Sequence, residues 1–282
     1  MRKLKGLINL IRFELPFSAG VCVVMGQMFA LGKFASINII ALGFITVFLI
    51  SASILVLNDY FDLETDKINA PNRPIPSGLV SPKEALIFSI LLFLLGLYLS
   101  FLISMPAVIC IIILAVIGYL YNSKFKKNGL FGNILVSISV GMTFIYGGIT
   151  VGDPFNKTVL FFGLIAALID LGEEIAADSM DAEGDKLINS TSLAIKYGRQ
   201  FALKVSTSIF FFVVLLSIIP FALNWFTNIY IFPITVMDAA IIYSSIKLLK
   251  SKNDEGRKYI RLLYLGATFG LLIFLIMGII GI

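Results

Sequence analysis

Six stretches of this chain contain no Asp, Glu, Lys or Arg, and they constrain its fold more than any other feature. They cover residues 15–32, 34–58, 85–123, 128–152, 205–237 and 262–282. A helix that crosses a membrane needs about 20 predominantly apolar residues, and most of these stretches are long enough. Only 14% of the residues are charged, whereas a soluble domain carries about 25%. The sequence therefore excludes a soluble globular enzyme, a disordered chain and a nucleic-acid-binding module, and it predicts an all-α integral membrane protein.

We predict nine transmembrane helices in one polytopic domain that covers residues 1–282. Their predicted bounds are 13–33, 36–58, 84–103, 106–122, 130–152, 157–177, 203–222, 227–248 and 260–280. The uncharged stretch 85–123 is too long for one crossing. Met105-Pro106, which follows Ser104, is its natural break because proline does not continue a helix at that point.

The basic residues predict how the helices are oriented in the cell membrane. If the N-terminus is cytoplasmic, 20 of the 22 Lys and Arg residues face the cytoplasm, and only Lys33 and Lys157 face outward. An excess of basic residues in cytoplasmic loops is the usual pattern of membrane proteins. We therefore expect the N-terminus and any active site on the cytoplasmic side, and the C-terminus outside.

Most of the acidic residues fall in two clusters, one at the end of the second predicted helix and one running off the sixth. The clusters are Asp59, Asp62, Glu64 and Asp66, and Asp170, Glu173, Glu174, Asp178, Asp181, Glu183 and Asp185. Four predicted crossings separate them, so both should emerge on the same side. Asn58, Asp62 and Asp66 recur every four residues and share one helical face. Another set, with spacings of four, three and four residues, also shares one helical face: Glu174, Asp178, Asp181 and Asp185.

These acids predict a site for a divalent cation and a diphosphate. Like charges on one helix face repel, and desolvation near a bilayer adds to that cost. Mg²⁺ would offset both, because it prefers oxygen ligands and completes its shell with substrate phosphates. The chain has no His, and Cys22 and Cys110 lie within apolar stretches, so softer metals have few ligands. The roles of two acids are left open. Asp170 is either a structural hydrogen-bond partner or a functional group. Asp238 lies within a predicted membrane helix, which makes it a candidate for a functional role.

Basic residues near the clusters are candidates for binding phosphate. The loop at 66–78 contains three prolines and a glycine, so it is stiff enough to hold Arg73 in one place. A guanidinium group binds phosphate oxygens in a bidentate manner. Lys124, Lys126 and Lys127 lie between the fourth and fifth predicted helices. They either belong to the general excess of basic residues on the cytoplasmic side, where they contact lipid headgroups, or they bind a diphosphate.

Two motifs resemble a known family. Residues 58–66 read N-D-Y-F-D-L-E-T-D and match the N-D-x-x-D-x-x-x-D motif of the UbiA-type intramembrane prenyltransferases, and residues 181–185 match their second motif, D-x-x-x-D. The sequence R-P-I-P-S-G at 73–78 resembles the branch of that family that holds the chlorophyll synthases and the archaeal digeranylgeranylglyceryl phosphate synthases, and the stretches 178–186 and 192–198 are most similar to the latter. The resemblance covers nearly the whole chain. It implies the family fold, nine helices around a central cavity, with two related halves whose motifs lie at 58–78 and 174–198.

The resemblance also implies an activity and its residues. The activity would be Mg²⁺-dependent transfer of a geranylgeranyl group from geranylgeranyl diphosphate to the free hydroxyl of geranylgeranylglyceryl phosphate. Two Mg²⁺ ions would bridge the diphosphate. The implied metal ligands are Asn58, Asp62, Asp66, Asp178, Asp181 and Asp185, of which Asp62, Asp66, Asp181 and Asp185 would be catalytic. The implied substrate-binding residues are Asp59, Lys67, Arg73, Tyr121, Lys124, Lys126, Glu174 and Lys186. The proton acceptor stays open between Asp59 and the departing diphosphate.

Two alternatives remain. The same site could prenylate an aromatic quinone precursor or a chlorophyll-like acceptor. A protein of another class, a divalent-cation transporter, would also use acids, but transporters place ionisable residues near the bilayer midplane, whereas these clusters lie at helix ends. Membrane lipid is the expected surrounding, and neither a nucleic acid nor an obligate protein partner is expected.

Overall fold

The computed structural model describes residues 2–280, and the regular structure in that range is helical. The helices are α1 (Arg2–Ile11), α2 (Glu14–Leu31), α3 (Ile37–Phe61), α4 (Leu63–Asn69), α5 (Pro82–Phe101), α6 (Met105–Leu120), α7 (Leu130–Thr150), α8 (Lys157–Asp185), α9 (Leu193–Tyr197), α10 (Arg199–Leu216), α11 (Ile219–Ala222), α12 (Ile231–Lys250) and α13 (Gly256–Ile279). A single turn of π-helix, Tyr121–Phe125, follows α6 directly. Long apolar helices thus alternate with short polar connections.

Within residues 2–280, eight helical segments are long and apolar enough to cross a membrane. The chain is therefore a multi-pass membrane protein. The predicted number of crossings, nine, is one more than the number of these segments. The segment that accounts for the difference is α8, which corresponds to the sixth predicted helix. It contains too many acidic residues to be classed as an apolar membrane span. It is 29 residues long and continues to Asp185, whereas the sequence predicted an end near residue 177.

The predicted break in the long uncharged stretch is confirmed. Helix α5 ends at Phe101 and α6 begins at Met105, with Pro106 in its first turn. The Ser104 side chain accepts a hydrogen bond from the backbone N–H of Ala107, which caps the new helix. A proline in the first turn costs no hydrogen bond because that N–H has no partner within the helix.

The central helices pack closely because small residues face one another. A Cβ atom on Gly26 of α2 would collide with the backbone oxygen of Phe144 in α7, and one on Gly147 would collide with that of Val23. Small residues at such contacts are typical of membrane bundles, where close van der Waals packing replaces the hydrophobic driving force. These helices therefore form a rigid frame for the polar segments at one end.

The short polar segments gather at a single end of the bundle. The backbone N–H of Thr191, which follows α8, donates to the oxygen of Lys127, which follows the π-helical turn, at 2.8 Å. Helix α1, which the sequence analysis did not predict, packs onto the proline-rich loop, since a Cβ atom on Gly6 would meet the Val80 side chain at 2.7 Å. Both acidic clusters therefore lie at this end, as the four predicted crossings between them require.

Candidate active site

The first acidic motif lies at a junction between two helices. Helix α3 ends at Phe61, α4 begins at Leu63, and Asp62 joins them, so the single continuous helix assumed from the spacing is wrong at this residue. The four-residue spacing of the motif along one side is nevertheless retained. The Asp62 N–H donates to the oxygen of Asn58 at 2.9 Å, and the Asp66 N–H donates to the oxygen of Asp62 at 2.7 Å. Because these bonds join residues four apart, Asn58, Asp62 and Asp66 follow one another along the same side of the junction.

The second acidic motif lies on the last turns of α8. Asn133 of α7 donates to the carboxylate of Asp178 at 2.9 Å. Arg257, at the start of α13, donates to the carboxylate of Asp181 at 2.5 Å. Asp185 is buried at the end of the helix. The carboxylates of Asp178 and Asp181 are thus held by side chains from two neighbouring helices.

Asn69, the last residue of α4, joins the two motifs. Its amide nitrogen donates to the backbone oxygen of Asp181 at 3.0 Å, and its amide oxygen accepts from the backbone N–H of Gly184 at 3.0 Å. A Cβ atom on residue 184 would collide with this amide, so the glycine permits the approach. The two acid-bearing segments therefore meet directly.

Arginines neutralise the acids of the first motif. Arg73 donates to both carboxylate oxygens of Asp66, at 2.7 and 2.6 Å, and reaches Asp59 at 3.5 Å. Arg12 forms an ion pair with Asp59 from the break between α1 and α2. The loop thus places Arg73 against the first acidic cluster, and its binding of phosphate stays a prediction.

The π-helical turn after α6 brings three more polar side chains to the site. The Tyr121 hydroxyl donates to the Glu174 carboxylate at 3.0 Å. The Asn122 amide oxygen accepts from the amide nitrogen of Asn58 at 2.7 Å, which leaves the Asn58 oxygen for a ligand. Lys126 pairs with Asp62. Single turns of π-helix occur frequently at functional sites, and this one connects α6 to both acidic motifs.

Three lysines from the predicted set lie outside this group of side chains. Lys124 is exposed, with its Nζ 5.5 Å from the ring centroid of Phe125. Lys67 pairs with Glu64 at 2.6 Å on the exposed face of α4. Lys186 is also exposed. The structure brings together the other predicted site residues, whereas a role for these lysines stays a prediction.

Burial sets the electrostatics of the first motif. It raises the pKa of Asp66 above its ordinary value, although the Arg73 guanidinium acts in the opposite direction. Burial also acts to lower the pKa of Arg73, but the carboxylates of Asp59 and Asp66 outweigh it and raise that pKa. The Asp66 carboxylate is thus costly to keep charged, and added positive charge would stabilise it.

The donor set fits Mg²⁺. It consists of carboxylate and amide oxygens, and the chain contains no His. Among residues 2–280, no three acidic side chains converge closely enough to enclose a metal ion by themselves. Mg²⁺ does not need such a cage, because it usually takes one or two carboxylates and completes its shell with water and substrate phosphates. Residues from the two motifs could therefore hold Mg²⁺ once a diphosphate supplies further oxygens.

Comparison with known proteins identifies the family. The sequence model of the UbiA prenyltransferase family matches residues 19–266, which is most of the chain. The chain belongs to the UbiA prenyltransferase family. The resemblance recognised from the motifs is thereby confirmed, as is the expected class of enzyme.

Named UbiA-family relatives extend along the whole chain. A digeranylgeranylglyceryl phosphate synthase from Methanococcus aeolicus is 35% identical over 266 residues, which is 93% of this chain and 94% of that protein. A solved structure of a digeranylgeranylglyceryl phosphate synthase has 34% identity and a TM-score of 0.68, and covers 97% of this chain and 100% of that one. A UbiA homologue from Archaeoglobus fulgidus, solved with GPP and Mg²⁺, has a TM-score of 0.66 at 19% identity and covers 96% and 97% of the two chains. That last similarity supports the UbiA fold.

Several residues at this UbiA-family site were not predicted from the sequence. They are Arg12, Asn69, Asn122, Asn133 and Arg257. Arg12 and Arg257 had been assigned only to topology, since their pairing with Asp59 and Asp181 depends on helix packing. For Asn69 there was a weak indication in the sequence. The sequence Asp-Lys-Ile-Asn at the end of the first motif has a similar counterpart, Asp-Lys-Leu-Ile-Asn, at the end of the second.

Proposed function

We propose that this UbiA-family enzyme transfers a geranylgeranyl group from geranylgeranyl diphosphate to the free hydroxyl of geranylgeranylglyceryl phosphate. The product is digeranylgeranylglyceryl phosphate, an intermediate of archaeal ether lipids. The proposal is supported by relatives with that name, which are about one third identical over most of the chain. The observation in the structure that supports it most is the contact between the two acidic motifs through Asn69.

The metal would lie between the two motifs. The proposed ligands are Asn58, Asp62 and Asp66 for one Mg²⁺ ion, and Asp178, Asp181 and Asp185 for a second. The chemistry that bound Mg²⁺ supplies is neutralisation of the charge that develops on the departing diphosphate. The proposal extends to this chain what is described for the A. fulgidus homologue, which was solved with GPP and Mg²⁺.

The basic residues would exchange partners when substrate binds. Arg73 and Lys126 pair with Asp66 and Asp62, the proposed metal ligands. Metal binding would release both bases to donate hydrogen bonds to the diphosphate oxygens. Preorganised donors of this kind stabilise charge that develops in the transition state.

The rest of the bundle would protect the reacting carbon. As the bond between C1 and the diphosphate oxygen breaks, C1 becomes similar to an allyl cation, which water would trap. The apolar helices exclude water from the prenyl chain, so the acceptor hydroxyl is the nucleophile at hand. We further propose that this end of the bundle faces the cytoplasm, because the basic residues are concentrated in its loops.

The direct test is transfer by the purified protein. Protein in detergent would be incubated with Mg²⁺, geranylgeranyl diphosphate and one acceptor at a time, and the product identified by mass spectrometry. We expect ether formation with geranylgeranylglyceryl phosphate and its loss in EDTA. Conversion of only a quinone precursor or a chlorophyll-like acid would overturn the choice of acceptor. Mg²⁺ flux into vesicles without any transfer would favour a transporter.

Two substitutions test the metal ligands. Asp62→Ala and Asp181→Ala should each abolish turnover while the protein elutes from a sizing column as the unsubstituted chain does. Asp153→Ala is the matched control, since this acid lies in the loop between α7 and α8 and bonds only locally, with Asn156. Activity close to that of the unsubstituted chain in either variant would contradict the metal assignment.

A further inference from the structure

Glu173 on α8 is a half-buried acid that the proposed chemistry has not yet used. Its Oε1 is fully enclosed and has no hydrogen-bond partner among residues 2–280. The next acids on the helix do have partners: Asp170 accepts from Ser137 at 2.9 Å, and Glu174 accepts from Tyr121 at 3.0 Å. A buried oxygen without a partner is costly and rare in folded proteins, so it calls for an explanation. A substrate group would satisfy it.

The charged groups that act electrostatically on Glu173 include two acids of its own helix, Asp170 and Glu174. From α13, the Tyr264 phenol also lies close enough to interact with it electrostatically. The Tyr264 hydroxyl donates to Glu14 at 2.8 Å, and Arg261 donates to the same carboxylate at 3.0 Å. The arginine on this side is therefore occupied by Glu14. None of the groups that act on Glu173 is a cation that would compete with a proton for its carboxyl group.

Glu173 lies on the inner side of the proposed diphosphate site, where the prenyl chain would extend. It precedes Asp181 by eight residues, so it lies about 12 Å farther into the bundle along the helix axis, at a rise of about 1.5 Å per residue. The diphosphate binds at the polar end, and the apolar prenyl chain must extend inward between the helices. C1 and the attacking hydroxyl therefore lie on the inner side of the diphosphate, toward Glu173.

The two proton acceptors suggested by the sequence, Asp59 and the departing diphosphate, are less suited to accept the proton of the acceptor hydroxyl. Asp59 pairs with Arg12 and lies within 3.5 Å of Arg73, so its carboxylate is held by two guanidinium groups. Proton transfer to Asp59 would disrupt these ion pairs. The departing diphosphate would be neutralised by Mg²⁺ and by Arg73 and Lys126, which lowers its basicity.

We propose that Glu173 accepts the proton of the attacking hydroxyl, an inference that rests on the proposed function. The bond between C1 and the diphosphate oxygen breaks, and its electron pair leaves with the diphosphate. The hydroxyl oxygen of the acceptor forms the new bond to C1, and its proton passes to a carboxylate oxygen of Glu173. Exchange with water after product release restores the carboxylate.

The test separates proton transfer from breakage of the diphosphate bond. Glu173→Gln keeps the shape of the side chain but removes the base, and general bases contribute typically 10²–10⁴-fold to rate. We expect kcat for ether formation to fall about 100-fold or more, with KM for geranylgeranyl diphosphate within about twofold. Substrate labelled with ¹⁸O in the C1–O–P bridge should still scramble its label into non-bridging positions, because ionisation of C1 does not require the base.

The controls make each outcome decisive. Asp153→Asn is the matched control, since Asp153 is exposed in the loop between α7 and α8 and lies outside both acidic clusters, and Glu173→Asp should recover part of the lost kcat. An unchanged kcat in Glu173→Gln would overturn the proposal. So would loss of scrambling in parallel with ether formation, which would place Glu173 with the diphosphate ligands. If Glu173→Gln does not fold, a comparison of Glu173→Asp with Glu173→Asn replaces it. A failure of the proposed function is distinct, because the unsubstituted chain would then form no ether.

Discussion

Lys124 and Lys126 are two residues apart, yet the structure gives them different surroundings. The π-helical turn ends at Phe125 and directs Lys126 toward Asp62, while Lys124 stays exposed beside the Phe125 ring. Lys126 also interacts electrostatically with Glu174 and Asp185, so it is the one cation of this pair that reaches both motifs. A diphosphate bound between the motifs would therefore meet Lys126.

Substituting each lysine by alanine tests this difference. Lys126→Ala should lower kcat/KM for geranylgeranyl diphosphate by about 100-fold, the usual cost of losing one donor to developing charge. Lys124→Ala should change it by less than about threefold, since exposed charges away from a site contribute little. Steady-state kinetics at saturating Mg²⁺ would measure both. Equal losses would show that the lysines act through the general surface charge.

Which of the two lysines faces the acids could not be predicted from the sequence, because it depends on the one extra residue in the π-helical turn. An α-helical continuation of α6 would rotate the two side chains differently from the observed π-helical turn. The acids were easier to predict, since their four-residue spacing does not depend on distant parts of the chain. Arg12 lay beyond sequence reasoning, because it adopts a positive φ of 51° and meets Asp59 only after α1 folds back onto the proline-rich loop.

At the scale of elements, the site depends on how α4 meets the last turns of α8. Asn69 bonds to the backbone at both Asp181 and Gly184, so its amide fixes the distance between the motifs. The sequence predicted that the motifs share a side of the membrane, but it could not supply this contact. It also predicted that α8 would end near residue 177, because the apolar pattern ends there. The helix continues because its acids find partners in Asn133 and Arg257.

Asn69→Ala tests the contact between these elements. Losing two hydrogen bonds within the site should loosen the spacing, at a cost of about 1–3 kcal/mol. We expect the Mg²⁺ concentration for half-maximal activity to rise several-fold, because both motifs would contribute ligands. Gly184→Ala should act in the same way, since its Cβ would displace the Asn69 amide.

The control for Asn69→Ala is Asn72→Ala, which removes an exposed amide from the neighbouring loop. It should leave the Mg²⁺ dependence unchanged. A Mg²⁺ titration of Asn69→Ala that overlays that of the control would show that the two motifs do not depend on this contact.

The whole molecule combines an apolar bundle with one charged end. The bundle was largely predictable because long uncharged stretches leave helices as the only way to satisfy backbone hydrogen bonds in lipid. Helix α1 was missed, since ten residues are too few to cross and its polar face gives no apolar run. How the helices neighbour one another was not predictable, because contacts such as Gly26 with Phe144 leave no local pattern.

The orientation of the bundle is the last prediction, and cysteine labelling measures it. Lys33 follows α2 and Lys83 lies in the first turn of α5, and both are exposed, at opposite ends of the bundle in the predicted topology. Lys33→Cys should react with a membrane-impermeant maleimide in intact cells, and Lys83→Cys only in inverted vesicles. The unsubstituted chain is the control, because Cys110 is buried and Cys22 is half-buried within a spanning helix. The reverse pattern would place the acidic motifs outside the cell, where the concentrated basic charge of their loops would contradict the usual cytoplasmic bias.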